Sequence, residues 1–165
     1  MDVNFIDKLG SDLSVVNAAR VSFAKIKEKL DEKDDKLIKY LAKWGHWSPF
    51  AHAFLSFRIK APIFVARQLV KHQVGLSWNE VSRRYVDDKP EFYIPFMWRK
   101  RPDKSIKQGS SDEEVPYDIM KLINTAQETY DDMLAEGIAP EMARMVLPQC
   151  MMTEWIWSGS VYAFS

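Results

Sequence analysis

At 165 residues, with 47% apolar and 28% charged residues, the chain is long enough for one folded domain with a buried core. Lysine plus arginine and aspartate plus glutamate number 23 each, which excludes the overall basic field of a nucleic-acid binder and confines any anion site to a local cluster. A single cysteine, Cys150, excludes an internal disulfide framework, no apolar run is long enough to span a bilayer, and no signal-peptide pattern opens the chain, so a cytoplasmic protein is expected. Residues 31–45 read as a helix: acids crowd its start, Leu37, Ile38 and Leu41 fall at helical spacing, and Gly45 suits the position after its end. Residues 52–60 alternate, with Ala53, Leu55, Phe57 and Ile59 against Ser56, Arg58 and Lys60, which predicts a half-buried strand. Pro62 then opens a predicted helix over 63–74, which places Gln68 and Lys71 or His72 on one helical face, and Gly75 releases the chain into a loop over 77–85. Residues 91–97 read as a short strand or an extended arm between prolines, and 99–114 as a solvated loop whose mixed charge argues against a nucleic-acid patch. Residues 115–136 predict a long amphipathic helix with Ile119, Leu122, Ile123, Ala126, Tyr130, Met133 and Leu134 on its apolar side, closed by Gly137. Pro140 opens another helix to about Leu147; 151–157 is a strand or a continued helix; Ser158 is placed to cap a last short helix.

The segment from Arg67 to Tyr85 departs from either a plain surface helix or a core. Arg67, Lys71, His72, Arg83 and Arg84 stand among the turn formers Gly75, Ser77 and Asn79, flanked by apolar sequence. Cations, amides, hydroxyls and one carboxylate at such spacing suit an anionic, planar, hydrogen-bonding ligand. A nucleotide fits, because guanidinium meets phosphate while amide, hydroxyl and carboxylate read sugar and base. Three histidines without ligand spacing make a metal site improbable, and Cys150 in its apolar context reads as a buried small residue. Six Trp, nine Phe and eight Met are a heavy load, fit for a core or a subunit interface.

The run Ser77-Trp78-Asn79-Glu80-Val81-Ser82-Arg83-Arg84-Tyr85 resembles the second half of the flavin-dependent thymidylate synthase signature, Ser-x-Asn-Glu-x-Ser-x-Arg-Tyr. In the first half, Lys71-His72-Gln73 stands where that family has Arg-His-Arg, and the gap to Ser77 is one residue longer. Further likeness runs through Ala18-Ala19-Arg20-Val21-Ser22, Gly45-His46-Trp47-Ser48-Pro49-Phe50, Ala61 to Gln68, Glu91 to Pro95 and Ala143 to Pro148, in the family's order. It covers nearly the whole chain.

The resemblance implies a single α+β domain over residues 1–165, a small twisted sheet flanked by helices, assembling as a homotetramer. It implies methylation of dUMP to dTMP, with methylenetetrahydrofolate as one-carbon donor, FAD as redox carrier and NADPH as reductant. The alternative is a catalytically silent flavin- or nucleotide-binding homologue, or a structural subunit. Carried over residue by residue, the resemblance implies substrate contacts at Gln68, Lys71, Glu80, Ser82, Arg83, Arg84, Tyr85 and Arg144. Of these, Arg83 replaces an often small residue and reads as a solvated neighbour. Cofactor contacts are implied at Ser48, Lys71, His72, Gln73 and Glu80, and His46 is the catalytic candidate, for flavin or folate positioning. Lys71 keeps the charge of the family's arginine without its fork, and Gln73 keeps only hydrogen bonding. Family members continue for several dozen residues past the equivalent of Ser165, with an arginine that polarises the uracil. The chain breaks off inside a pattern, which reads as truncation.

Overall fold

The computed structural model describes residues 1–86 and 88–165. In chain order the elements are β1 (Asp2–Leu9), α1 (Asp12–Arg20), α2 (Glu32–Lys43), β2 (Phe54–Pro62), α3 (Ile63–Leu69) and β3 (Leu76–Glu80). They continue with β4 (Trp98–Arg99), β5 (Glu114–Val115), α4 (Met120–Ala135), α5 (Pro140–Ala143), β6 (Met152–Ser160) and α6 (Val161–Phe164). The mixture of helices with a small antiparallel sheet is the α+β class expected. Contacts divide the chain into two compact units, one of Met1–Ala61, Val65–Val81 and Thr153–Ser165, the other of Pro62–Phe64 and Ser82–Met152.

The first unit is built on a four-stranded sheet in the order β1-β2-β6-β3. β1 pairs antiparallel with β2 from Asp2↔Lys60 to Leu9↔Phe54, with a bulge between Phe5 and Asp7. β3 pairs antiparallel with β6, Leu76 opposite Gly159 and Glu80 opposite Trp155. Strand alternation sends Phe57, Ile59, Ala61, Trp78, Trp155 and Trp157 to one face, where Val65, Ala66 and Leu69 close a core around the buried Trp155. Trp78 stacks on Trp155 with ring centroids 4.4 Å apart and meets Trp157 edge-on at 5.8 Å. A second cluster joins Val15, Leu41 and Ala53, with Leu37, Ile38 and Val161 against it.

The helices of this unit begin where side chains satisfy their free amides. Ser11 and Ser14 form a reciprocal cap at α1, and Asp31 and Asp34 do the same at α2. The helix over 31–45 and the strand over 52–60 are thus found nearly as expected, with Gly45 at a positive φ of 66° just past the helix end.

Several local expectations are corrected. The helix after Pro62 stops at Leu69 rather than near Val74, so Gln68 does not share a continuous helical face with Lys71 or His72. Val74 is 92% exposed and has nothing to bury, which removes the packing that would extend the helix. The predicted loop over 77–85 is a strand as far as Glu80, because Leu76 and Trp78 alternate with Ser77 and Asn79 and the ladder to β6 takes up the backbone. Residues 151–157, ambiguous in sequence, belong to strand β6. That strand extends through Ser158, and Ser160, whose hydroxyl accepts from the Ala163 amide at 3.1 Å, caps α6 instead.

In the second unit, β4 and β5 pair antiparallel and bracket the exposed stretch 100–113. Val115 lies in β5, so the amphipathic helix starts only at Met120, and Gly137 follows its end at φ 79°. Ile123, Ala126 and Tyr130 are its buried stripe, while Leu122, placed on the apolar side by spacing, is exposed. α4 packs against α5 and the short 3₁₀ turn Arg144–Val146. The 91–97 stretch is an extended arm that touches the 151 region through a single bridge, Phe92↔Met151.

Candidate functional site

Leaving α3, the chain turns tightly, with the His72 amide donating to Leu69 O at 3.0 Å and the Leu76 amide to Gln73 O at 3.2 Å. Gly75, at φ 74°, supplies the left-handed step that brings the turn into β3. Lys71, His72 and Gln73 are all exposed on this turn, and Gln68 is exposed on α3 just before it. The turn therefore presents one cation, one imidazole and two amides to solvent together.

β3 splits the signature between two sheet faces. Ser77 and Asn79 lie on the face that also carries the Ser56–Ser158 hydroxyl pair at 2.8 Å and the Arg58–Glu154 ion pair. Trp78 and Glu80 lie on the tryptophan face. There the Thr153 hydroxyl donates to Glu80 Oε1 at 2.7 Å, and the Trp78 indole N–H donates to Glu80 Oε2 at 3.1 Å. Neither Thr153 nor Trp78 was among the sequence candidates. Trp78 shares Glu80's alternation, a signal available in the sequence, whereas Thr153 comes from a strand 73 residues away.

In the second unit the chain turns through Ser82–Tyr85. The Ser82 hydroxyl accepts from the Arg84 amide at 3.3 Å and from Arg84 Nε at 3.4 Å, and the Arg84 guanidinium lies 5.2 Å from the Tyr85 ring centre. Arg83 is tied to the carbonyl of Asp88. Arg144 opens the 3₁₀ turn after α5 and donates from Nε to Glu141 O at 3.2 Å. Arg84 and Arg144 are both exposed, and among the described residues neither forms an ion pair with a carboxylate. Each has its Nε engaged within its own turn, which leaves the terminal Nη donors to meet an anion.

His46 follows Gly45 and stacks on Tyr40, ring centroids 5.9 Å apart; Ser48 opens the 3₁₀ turn Ser48–His52 and is exposed. A cleft of about 360 Å³ bordered by Phe57, Ile59, Val65, Leu69, Trp157 and Phe164 contains none of the candidate residues. Burial pushes the Cys150 thiol above its ordinary pKa, which keeps it protonated and unsuited to nucleophilic work. Among the described residues no group of three or more His, Cys, Asp or Glu is placed to hold a metal, and no helix is long and apolar enough to cross a membrane.

A family model described as thymidylate synthase complementing protein matches residues 4–165. The chain is 43% identical over 162 residues to the flavin-dependent thymidylate synthase of Thermosipho africanus, spanning 94% of this chain and 70% of that protein. It is 44% identical over 163 residues to the enzyme of the same name from Kosmotoga olearia, with the same 94% and 70% coverage. Among solved structures, the UMP/dUMP methylase PolB from Streptomyces cacaoi, bound with 5-Br dUMP, superimposes with a TM-score of 0.84 at 32% identity. That match covers 98% of this chain and 74% of PolB.

Proposed function

Because the chain belongs to the flavin-dependent thymidylate synthase family, we propose that it binds dUMP and converts it to dTMP, with residues 1–165 acting as one synthase-like domain. The observation that carries this reading is the pair of exposed guanidiniums, Arg84 and Arg144, free of carboxylate partners among the described residues. They hold the phosphate, with Ser82 orienting Arg84 and Tyr85 backing it. Gln68, Glu80 and Lys71 position the sugar and base through their amide, carboxylate and ammonium groups, and Arg83 stays a solvated neighbour.

The turn that carries Lys71, His72 and Gln73 suits FAD, since it offers a cation and hydrogen-bond donors in the open. Ser48 and Glu80 are the further cofactor contacts, and His46, stacked on Tyr40, positions flavin or folate. FAD supplies the redox capacity of the reaction. NADPH provides two electrons, methylenetetrahydrofolate the methylene, and the uracil C5 hydrogen leaves as a proton. The chain's own residues hold the nucleotide so that C5 meets the donor. In this reading the protein works as a cytoplasmic homotetramer.

The test is dUMP-dependent NADPH oxidation in the presence of FAD and methylenetetrahydrofolate, with dTMP measured directly. Formation of dTMP supports the synthase. A yellow protein that binds dUMP and forms none identifies the silent flavin-binding homologue, and a colourless protein without nucleotide affinity identifies the structural subunit.

A further inference from the structure

We propose that Thr153 and Trp78 are positioning residues that fix the Glu80 carboxylate for the nucleotide. This rests on the reading of Glu80 as a nucleotide contact. Glu80 is the last residue of β3, and the ladder still grips the backbone beyond it, the Val81 amide donating to Glu154 O at 2.9 Å. Its side chain is exposed, and an exposed glutamate ordinarily samples several rotamers. Here each carboxylate oxygen has its own internal donor: the Thr153 hydroxyl on Oε1 at 2.7 Å and the Trp78 indole on Oε2 at 3.1 Å.

Both donors are themselves held by packing. Thr153 is 9% exposed on β6, and Trp78 stacks at 4.4 Å on Trp155, which is 1% exposed in the core. The carboxylate plane is therefore referenced to the packed tryptophan face. A carboxylate has about four lone-pair sites. With one used on each oxygen, the remaining acceptors point outward to take an imide N–H or a sugar hydroxyl of the ligand. Prior orientation lowers the ordering cost of binding.

The experiment is calorimetric titration of dUMP, with a melting curve for each variant. Glu80→Gln, Thr153→Val and Trp78→Phe are each expected to weaken dUMP by about tenfold, the scale of one hydrogen bond to a charged group. Trp78→Phe keeps an aromatic ring against Trp155 and removes the indole N–H together with part of the ring area, a packing loss that its melting curve reads separately. It carries the test if Thr153→Val fails to fold. Thr153→Ser, which retains the hydroxyl, restores affinity to within about twofold. In the Glu80→Gln background, adding Thr153→Val causes little further loss, because Thr153 acts through the carboxylate. Wild-type affinity in Thr153→Val and Trp78→Phe alongside a weakened Glu80→Gln overturns the positioning role and leaves the nucleotide reading standing. Additive losses in the double variant also overturn it, since Thr153 then acts by another route. Wild-type affinity in Glu80→Gln overturns the role of Glu80 and this inference with it.

Discussion

Asp34 is 0% exposed, and a carboxylate in that position survives only with close partners. It has three: Arg20 at 2.7 Å, the Lys27 ammonium, and the Asp31 amide at 2.9 Å. Asn17 holds Lys27 in place, donating to its carbonyl at 2.9 Å and accepting from its amide at 2.8 Å. One buried charge thus pins the stretch between α1 and α2. Lys27 holds the Asp34 carboxyl well below its ordinary pKa of 3.8, ahead of the Asp31 amide and Arg20, and it lowers Asp31 as well. A carboxylate with a depressed folded pKa adds stability that is present above its unfolded pKa and lost as pH falls toward the folded one. Asp34→Asn is therefore expected to lower Tm by at least about 5 °C at neutral pH. The gap to wild type narrows as pH falls below about 4, where the unfolded carboxylate protonates. Thermal melts at a series of pH values check this; a gap that stays constant down to about pH 2 contradicts it.

At the scale of elements, the pairing of β3 with β6 decides where the signature residues point. It depends on a close approach at Gly159. A Cβ there would stand 2.6 Å from Gly75 O and 2.5 Å from Leu76 Cδ2, inside contact distance. Gly159→Ala is expected to destabilise the protein by about 1–3 kcal/mol, as overpacking does, and to weaken dUMP binding by displacing Glu80. Denaturant unfolding checks the first part; an unchanged midpoint contradicts it. The same pairing explains what the sequence could not convey. Gly75, Ser77 and Asn79 look like loop punctuation, yet Ser77 and Asn79 are the polar face of a strand whose other face is Leu76, Trp78 and Glu80. Where local pattern and packing agree, as in α2 with its Asp31 cap or the alternation of β2, the reading holds. Where a helix lacks a surface to bury, as at Val74, periodicity alone overextends it. The first thirty residues carried no secondary-structure expectation; β1 is exposed along its length, so Val3 and Phe5, which alternate opposite Ile59 and Phe57, bury too little to mark a strand.

Over the whole molecule, large apolar side chains remain in water, among them Phe96 at 97%, Tyr85 at 79% and Phe23 at 74% exposure. A run of exposed rings, Tyr40, Trp44 and Trp47, adds to them. A surface of this kind favours self-association, and sedimentation velocity at micromolar concentration is expected to show an oligomer, with a single monomeric species the contrary result. The candidate residues, by contrast, are named from local runs of sequence, the signature, the Gly45 to Phe50 segment and the Ala143 to Pro148 segment, and need no long-range pairing to be picked out. Thr153, the partner of Glu80 across the β3–β6 ladder, was not legible in this way, since that hydrogen bond joins residues 73 apart.

The central claim is that Arg84 and Arg144 receive the phosphate of a pyrimidine nucleotide. The direct measurement is calorimetric titration of dUMP and of deoxyuridine into wild type, Arg84→Ala and Arg144→Ala. A charge-assisted contact contributes about 1.5–3 kcal/mol, so each alanine is expected to weaken dUMP by about 10- to 100-fold while leaving deoxyuridine nearly unchanged. Equal affinity of the wild type for dUMP and deoxyuridine contradicts the claim.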